Sequence, residues 1–347
     1  MPSAQLVDAR GGRVHARWTR DNAQVIDAHN HLGRWLSPDD AWMAPAVEAL
    51  LDTMDTSSVD VIVNLDGRWG TELEENLERY DRAHPERFVT FCHVDWSVLS
   101  LNDTHAAATD RLTSQLQTSS AAGARGVKVW KDLGLEIRDG DSHLVSPDDP
   151  RVVAVLQVAG ELELPVLIHT ADPVAFFEPL TPANERWNEL QVHPEWWFGR
   201  PGLPSFADLI GSLDRLIAAC PGTTFVGAHA GCWAEDLAQV GDMLARHRNW
   251  NIDIAGRLGE LGRRPQEFRR LVEQFPDRVL FGTDCFPPDT ADYARHQRFL
   301  ETSDTGFDYS AETPPPQGNW RIDAANLPAQ VLPGIYQANA RRVLGLT

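Results

Sequence analysis

Eight short runs rich in β-branched and other apolar residues punctuate the chain: Val25–Ala28, Val59–Leu65, Phe88–Val94, Gly126–Trp130, Leu164–His169, Thr224–His229, Trp250–Ile254 and Arg278–Gly282. The intervals between them carry helical spacing. Arg151–Leu162 and Phe206–Cys220, for example, place apolar residues at i, i+3, i+4 and i+7. Strand alternating with helix predicts βαβ units and a parallel sheet, and eight repeats favour a closed (β/α)8 TIM barrel over an open doubly wound sheet. Two stretches break the rhythm. Ala171–Pro204, rich in Pro and Trp, exceeds an ordinary βα loop and reads as a lid or pocket wall after the fifth strand. Cys285–Asn326, with P-P-P-Q-G-N-W, follows the eighth strand, and a final amphipathic helix is expected over Leu327–Leu346. The whole of 1–347 is read as one α/β barrel domain with a C-terminal extension from about 285.

Composition narrows the function classes. A formal net charge of −19 disfavours nucleic-acid binding, which depends on Lys and Arg neutralising phosphates. No window approaches eighteen consecutive apolar residues, so no membrane span is predicted. The first ten residues, M-P-S-A-Q-L-V-D-A-R, contain no apolar signal core. Cys92, Cys220, Cys232 and Cys285 are scattered without C-x-x-C spacing, which points to a reducing compartment. The expectation is a cytoplasmic protein acting on a small molecule, with homo-oligomerisation left open. Neither G-x-G-x-x-G nor G-x-x-x-x-G-K-[ST] occurs, so nucleotide-binding folds lack their phosphate loop.

The chemistry gathers at the strand exits. V-I-D-A-H-N-H ends the first strand with His29 and His31, spaced i, i+2 and hence on one face of an extended chain. L-P-V-L-I-H ends the fifth with His169, T-F-V-G-A-H the sixth with His229, and V-L-F-G-T-D the eighth with Asp284. Barrel active sites lie on the face where strands finish, so four imidazoles and a carboxylate converge on one mouth, a ligand set for Zn, Fe, Mn or Ni. The fourth strand adds Lys128 in G-V-K-V-W-K-D-L-G, where an ammonium inside an apolar run is costly unless paired or altered. Lys128 either carries a carbamate able to bridge two metals or pairs with Asp284 or another acid.

This order of residues resembles the amidohydrolase superfamily of metal-dependent barrels. V-I-D-A-H-N-H, P-V-L-I-H-T, F-V-G-A-H-A-G and V-L-F-G-T-D resemble its amidohydrolase-2 branch over most of the chain. The resemblance implies one or two divalent metals, zinc foremost with iron or manganese as alternatives, held by His29, His31, Lys128, His169, His229 and Asp284. It also implies hydrolysis, non-oxidative decarboxylation or hydration as the chemistry. Many members of the branch use one metal, and its decarboxylases generally lack a bridging lysine, so Lys128 pulls this chain toward a dinuclear site.

The main expectation is a hydrolase in which metal-activated water attacks a carbonyl-type bond, Asp284 moves the proton, and His229 binds the second metal or steadies the oxyanion. The alternatives are a decarboxylase of an aromatic or unsaturated acid, with Asp284 protonating carbon, and a diiron oxygenase on the same barrel. Twelve tryptophans, several flanking the mouth, suggest a bulky apolar or aromatic substrate. Trp130, His193, Trp196, Trp197 and Arg186 are the candidate substrate contacts. His193, Glu195, Glu185, Arg186 and Trp187 could equally cap turns of their own segment. Cys232 and Cys285 read as small buried residues. His84, His105, His247 and His296 read as surface residues, while His93 ends the third strand within reach of the pocket.

Overall fold

The computed structural model describes residues 24–101 and 103–346. All eight expected strands form: β1 Val25–Asn30, β2 Val59–Asn64, β3 in two pieces, Phe88–Thr90 and Cys92–His93, β4 Val127–Val129, β5 Val166–Ile168, β6 Phe225–Gly227, β7 Trp250–Asp253 and β8 Val279–Leu280. Every pair of neighbours is parallel, with Ile62 opposite Phe88, His93 opposite Lys128, Lys128 opposite Leu167, and Leu167 opposite Val226. The break at Phe91 is spanned by Phe91 N–H to the Asn64 carbonyl and Cys92 N–H to the Gly126 carbonyl, both 2.9 Å. Two further bonds, Ala28 N–H to Phe281 C=O at 3.0 Å and Asp284 N–H to His29 C=O at 2.9 Å, join the β8 run back to β1. The chain is a TIM barrel.

Two hydrophobic layers explain why the runs are so uniformly apolar: a barrel strand is covered on both faces. One layer takes alternate strand residues, Ile26 and Ala28, Val61, Val63 and Leu65, Leu167, Val226 and Ala228, and Leu280, and is plugged by Ala340, Val343 and Leu344 of the C-terminal segment. The other packs the opposite strand face against helices such as Pro150–Glu161 and Phe206–Ala219. Both helices start where their caps dictate. Asp149 accepts from Arg151 N–H ahead of Pro150, and Ser205 forms a capping box with Asp208.

Three expectations need correcting. The segment 285–326 is not wholly irregular, because a capping box of Asp289 and Asp292 starts a helix, Thr290–Glu301. The terminal helix is shorter than 327–346, with a wide turn Gly334–Ala338 running into Asn339–Val343, since Pro328 and Pro333 forbid earlier helix interior. His296 is buried rather than exposed, facing Phe281 from that first helix. Among the described residues, no helix is long and apolar enough to cross a membrane.

Candidate active site

The strand exits bring His29, His31, His169, His229, Lys128 and Asp284 together. His31 Nε2 lies 3.6 Å and His29 Nε2 3.7 Å from Asp284 Oδ1, and His229 Nδ1 lies 4.0 Å from Oδ2. The ring centroids of His29 and His229 are 4.9 Å apart, and those of His169 and His229 are 4.4 Å apart. Two of these positions need unusual backbone. His229, at φ 60° and ψ 50°, opens a left-handed turn through Cys232, and Asp284 has φ 56°. Such conformations persist for side-chain-bearing residues only where the surroundings impose them.

Two carboxylates and a backbone carbonyl behind the imidazoles set their tautomers. His29 Nδ1–H donates to Asp253 Oδ2 at 2.8 Å, and His31 Nδ1–H donates to Asp66 Oδ1 at 2.6 Å. His229 Nδ1–H donates to the Ala255 carbonyl at 2.8 Å. Each bond leaves Nε2 as the lone-pair nitrogen. Burial holds His29 and His229 well below the usual imidazole range, and pushes His169 down to about 3, so these rings are neutral. His29, His31 and Asp284 therefore point three acceptors into one space within 4.8 Å, an arrangement that a bound cation would stabilise. His169 adds a second sign: it is 4% exposed, yet neither ring nitrogen makes a hydrogen bond, Nε2 standing 3.3 Å from Asp172 Oδ1 at an unsuitable angle. The donor set fits a divalent metal. The grouping of His29, His229 and Asp253 does not form a competing site, because Asp253 is already engaged by His29 Nδ1–H and by the His229 and Ala255 N–H groups.

Lys128 is 1% exposed, and burial pushes its ammonium down to about 8. Among the described residues it has no acid within 4 Å; Nζ lies 3.4 Å from His29 Nε2 and 5.6 Å from the centre of the Trp130 ring. The expected pairing with Asp284 is therefore not formed. Trp130 also meets His31 and His169 edge-on, at 5.8 and 5.2 Å between centroids.

Lys128 and Trp130 line a cavity of about 190 Å³ together with Arg68, Trp69, His93, Trp96 and Asp132. Arg68 escaped the sequence reading. It sits after β2 at φ 56°, its guanidinium between the Trp35 and Trp69 rings, 4.8 and 4.2 Å from their centres. His93 Nε2–H donates to the Leu65 carbonyl at 2.6 Å, which leaves Nδ1 to accept from Arg68 Nη1–H at 3.3 Å. The third-strand histidine thus reaches the pocket as the support for this arginine. Asp66 and Asp253 were also missed, although both stand at strand exits and the rule that found the histidines would have found them.

The other candidates lie apart from this cluster. Arg186 is 1% exposed and ion-paired with Glu189 at 2.7 Å and with Glu260, so it ties the 171–204 segment to the loop after β7 instead of offering donors to a ligand. Trp197 Nε1–H donates to the Glu178 carbonyl at 2.8 Å, within its own segment. Trp196 stacks on His193 at 3.9 Å and approaches the mouth through Lys131, which lies 5.6 Å from both the Trp130 and Trp196 rings and ion-pairs with Asp172.

A parallel barrel with a cluster of imidazoles and one carboxylate at its strand exits defines the class: a TIM barrel with His and Asp groups at its mouth that could hold a metal ion. The family profile described as amidohydrolase, of the amidohydrolase-2 type, matches residues 9–346, and the chain belongs to that family. No curated protein matches it. Among solved structures it is similar to 2,6-dihydroxybenzoate decarboxylase from Rhizobium (16% identity, 93% of this chain and 99% of the other, TM-score 0.58). It is also similar to a dihydroxybenzoic acid decarboxylase from Polaromonas sp. JS666 with bound manganese and 2-nitroresorcinol (14%, 93% and 97%, TM-score 0.54). A third is an amidohydrolase from Burkholderia multivorans with bound zinc (14%, 94% and 100%, TM-score 0.55).

Proposed function

We propose that this chain is a metal-dependent, non-oxidative decarboxylase of a small aromatic acid, working as a single barrel domain. The observation that carries the reading is the cavity beside the histidine cluster. It holds two cations, Lys128 and Arg68, between tryptophan walls, Trp69, Trp96 and Trp130, and its volume of about 190 Å³ suits a single-ring ligand. A buried ammonium with no acid within 4 Å among the described residues invites an anionic partner, and flat apolar walls invite a ring. The decarboxylases among similar structures support the same choice.

His29, His31, His169 and Asp284 would hold one divalent ion. Bound there, it supplies Lewis acidity toward a substrate oxygen. Lys128 and Arg68 orient the substrate carboxylate, and the tryptophans exclude water from it. Asp284, which is partly solvent-exposed, delivers a proton from its carboxyl to the ring carbon; the C–C bond to the carboxylate breaks, CO2 leaves, and the bonding pair ends in the new C–H bond. Asp284 regains its proton directly from solvent at its exposed edge, and neutral His229 stands beside it with Nδ1 4.0 Å from Oδ2.

Hydrolysis is the second reading, favoured by Lys128 alone: it lies 3.4 Å from His29 Nε2, and as a carbamate it would add a carboxylate to a site where His169 and His229 would hold a second metal. The test loads the protein with Mn2+ or Zn2+ and offers hydroxylated benzoic acids alongside matched amides and lactones. CO2 evolution from the acids supports decarboxylation. Cleavage of amides or lactones without CO2, and a mass 44 Da above the unmodified chain on Lys128, would move the assignment to the hydrolase.

A further inference from the structure

The most heavily hydrogen-bonded side chain near the mouth touches no candidate ligand group directly. Asp27, fully buried on β1, accepts five hydrogen bonds. Oδ1 takes the backbone N–H groups of His29 (3.3 Å) and Thr283 (3.0 Å). Oδ2 takes Asn30 Nδ2–H (2.9 Å), Thr283 Oγ1–H (2.6 Å) and Tyr293 O–H (3.1 Å). All five partners are donors, so the group is held as a carboxylate, and the bonds are of the stronger charge-assisted kind. They do not serve the barrel evenly. Four come from a candidate ligand or a residue adjoining one, namely His29 itself, Asn30 between His29 and His31, and Thr283 twice just before Asp284, and the two ligand segments are stitched again by Asp284 N–H to His29 C=O. Tyr293 reaches in from the helix Thr290–Glu301, tying the C-terminal extension to the same point.

We infer that Asp27 is a positioning residue for the metal site, a single carboxylate that sets the separation of the β1 ligands from the β8 ligand, with Tyr293 holding it from behind. The inference rests on the metal-site reading above. Ligand atoms brought from opposite ends of the sequence must meet within a few tenths of an ångström, and a shared acceptor between their backbones couples the two placements. A support that served stability alone would have no reason to bind both ligand-bearing backbones.

Asp27→Asn separates the roles. The amide oxygen can take both backbone N–H groups, and the two hydrogens of the new NH2 can go to the Thr283 and Tyr293 hydroxyls turned to accept, while Asn30 Nδ2–H keeps its bond to Thr283 Oγ1 at 2.9 Å. The fold is retained while the charge is lost. Apoprotein prepared by chelation is titrated with Mn2+ and Zn2+ against a chromophoric chelator, with melting temperature measured in parallel. Wild type should bind, His31→Ala should not, and Asp27→Asn should bind about 10- to 100-fold more weakly with its melting temperature little changed. Tyr293→Phe, which removes one donor, should weaken binding a few-fold, and it decides the question should Asp27→Asn fail to fold. Wild-type affinity in a folded Asp27→Asn, or in Tyr293→Phe where Asp27→Asn does not fold, overturns the inference. Equal binding by wild type and His31→Ala overturns the metal-site reading instead.

Discussion

Arg186→Met tests whether that arginine serves the fold or the substrate. Arg186 and Glu260 are each 1% exposed and face one another, with Glu189 as a second, mostly buried partner. Removing one member of a buried pair strands the other's charge in a low dielectric, at a cost of about 3–5 kcal/mol. Burial already holds the Glu189 carboxyl above its ordinary value with Arg186 in place, and the missing cation would raise it further. With an unfolding entropy of roughly 2.1 cal/mol/K per residue, a chain of 347 residues loses 1 °C for each ~0.7 kcal/mol, so the variant should melt about 4–7 °C lower. Scanning calorimetry gives the shift directly. The double variant Arg186→Met, Glu260→Met removes the stranded charge and should recover most of it. For the folded single variant, KM for an active acid substrate should stay within about twofold, since Arg186 does not line the cavity. An unchanged melting temperature with a KM raised tenfold or more would refute this placement and return Arg186 to the substrate.

Two other perturbations follow from the same geometry. The double variant His29→Ala, His31→Ala should fold but retain no stoichiometric metal by elemental analysis, because the barrel's interior and outer layers do not depend on these rings; full occupancy would sink the ligand assignment. His296, pushed down to about 4 by burial and with Nε2 unpartnered, binds a proton less readily in the folded chain than in the unfolded one. Its contribution is therefore complete above pH 6.5 and lost as pH falls toward 4, an acid penalty of up to about 3 kcal/mol. His296→Asn, which keeps the Nδ1-like donor to the Asp292 carbonyl, should lose less stability than wild type between pH 7 and pH 4.5 in urea titrations, and parallel curves would show that His296 is not the source.

The apolar runs and the polar residues that end them were enough to locate every strand and the six groups that meet at the mouth. The reason is local: a strand buried on both faces must be continuously apolar, so the first His, Lys or Asp at its end marks where the barrel face begins. The same locality failed where helix and turn signals overlapped, as in the segment after Asp284, whose capping box lay unread among prolines. The cavity wall was legible only in part, through Lys128, Trp130 and His93 but not Arg68, Trp69 or Trp96. Nothing in D-G-R-W-G sets Arg68 apart from other loop cations, and only a left-handed backbone puts it between Trp35 and Trp69. Arg186 looked like a mouth residue until Glu260 claimed it. Asp253 finds His29 across 224 positions and Asp27 finds Thr283 across 256, and no periodicity carries that information. Only closure of β8 against β1 brings those groups within hydrogen-bond reach, so the clustered residues belong to the strand pattern while their tautomers, spacing and partners belong to the closed barrel.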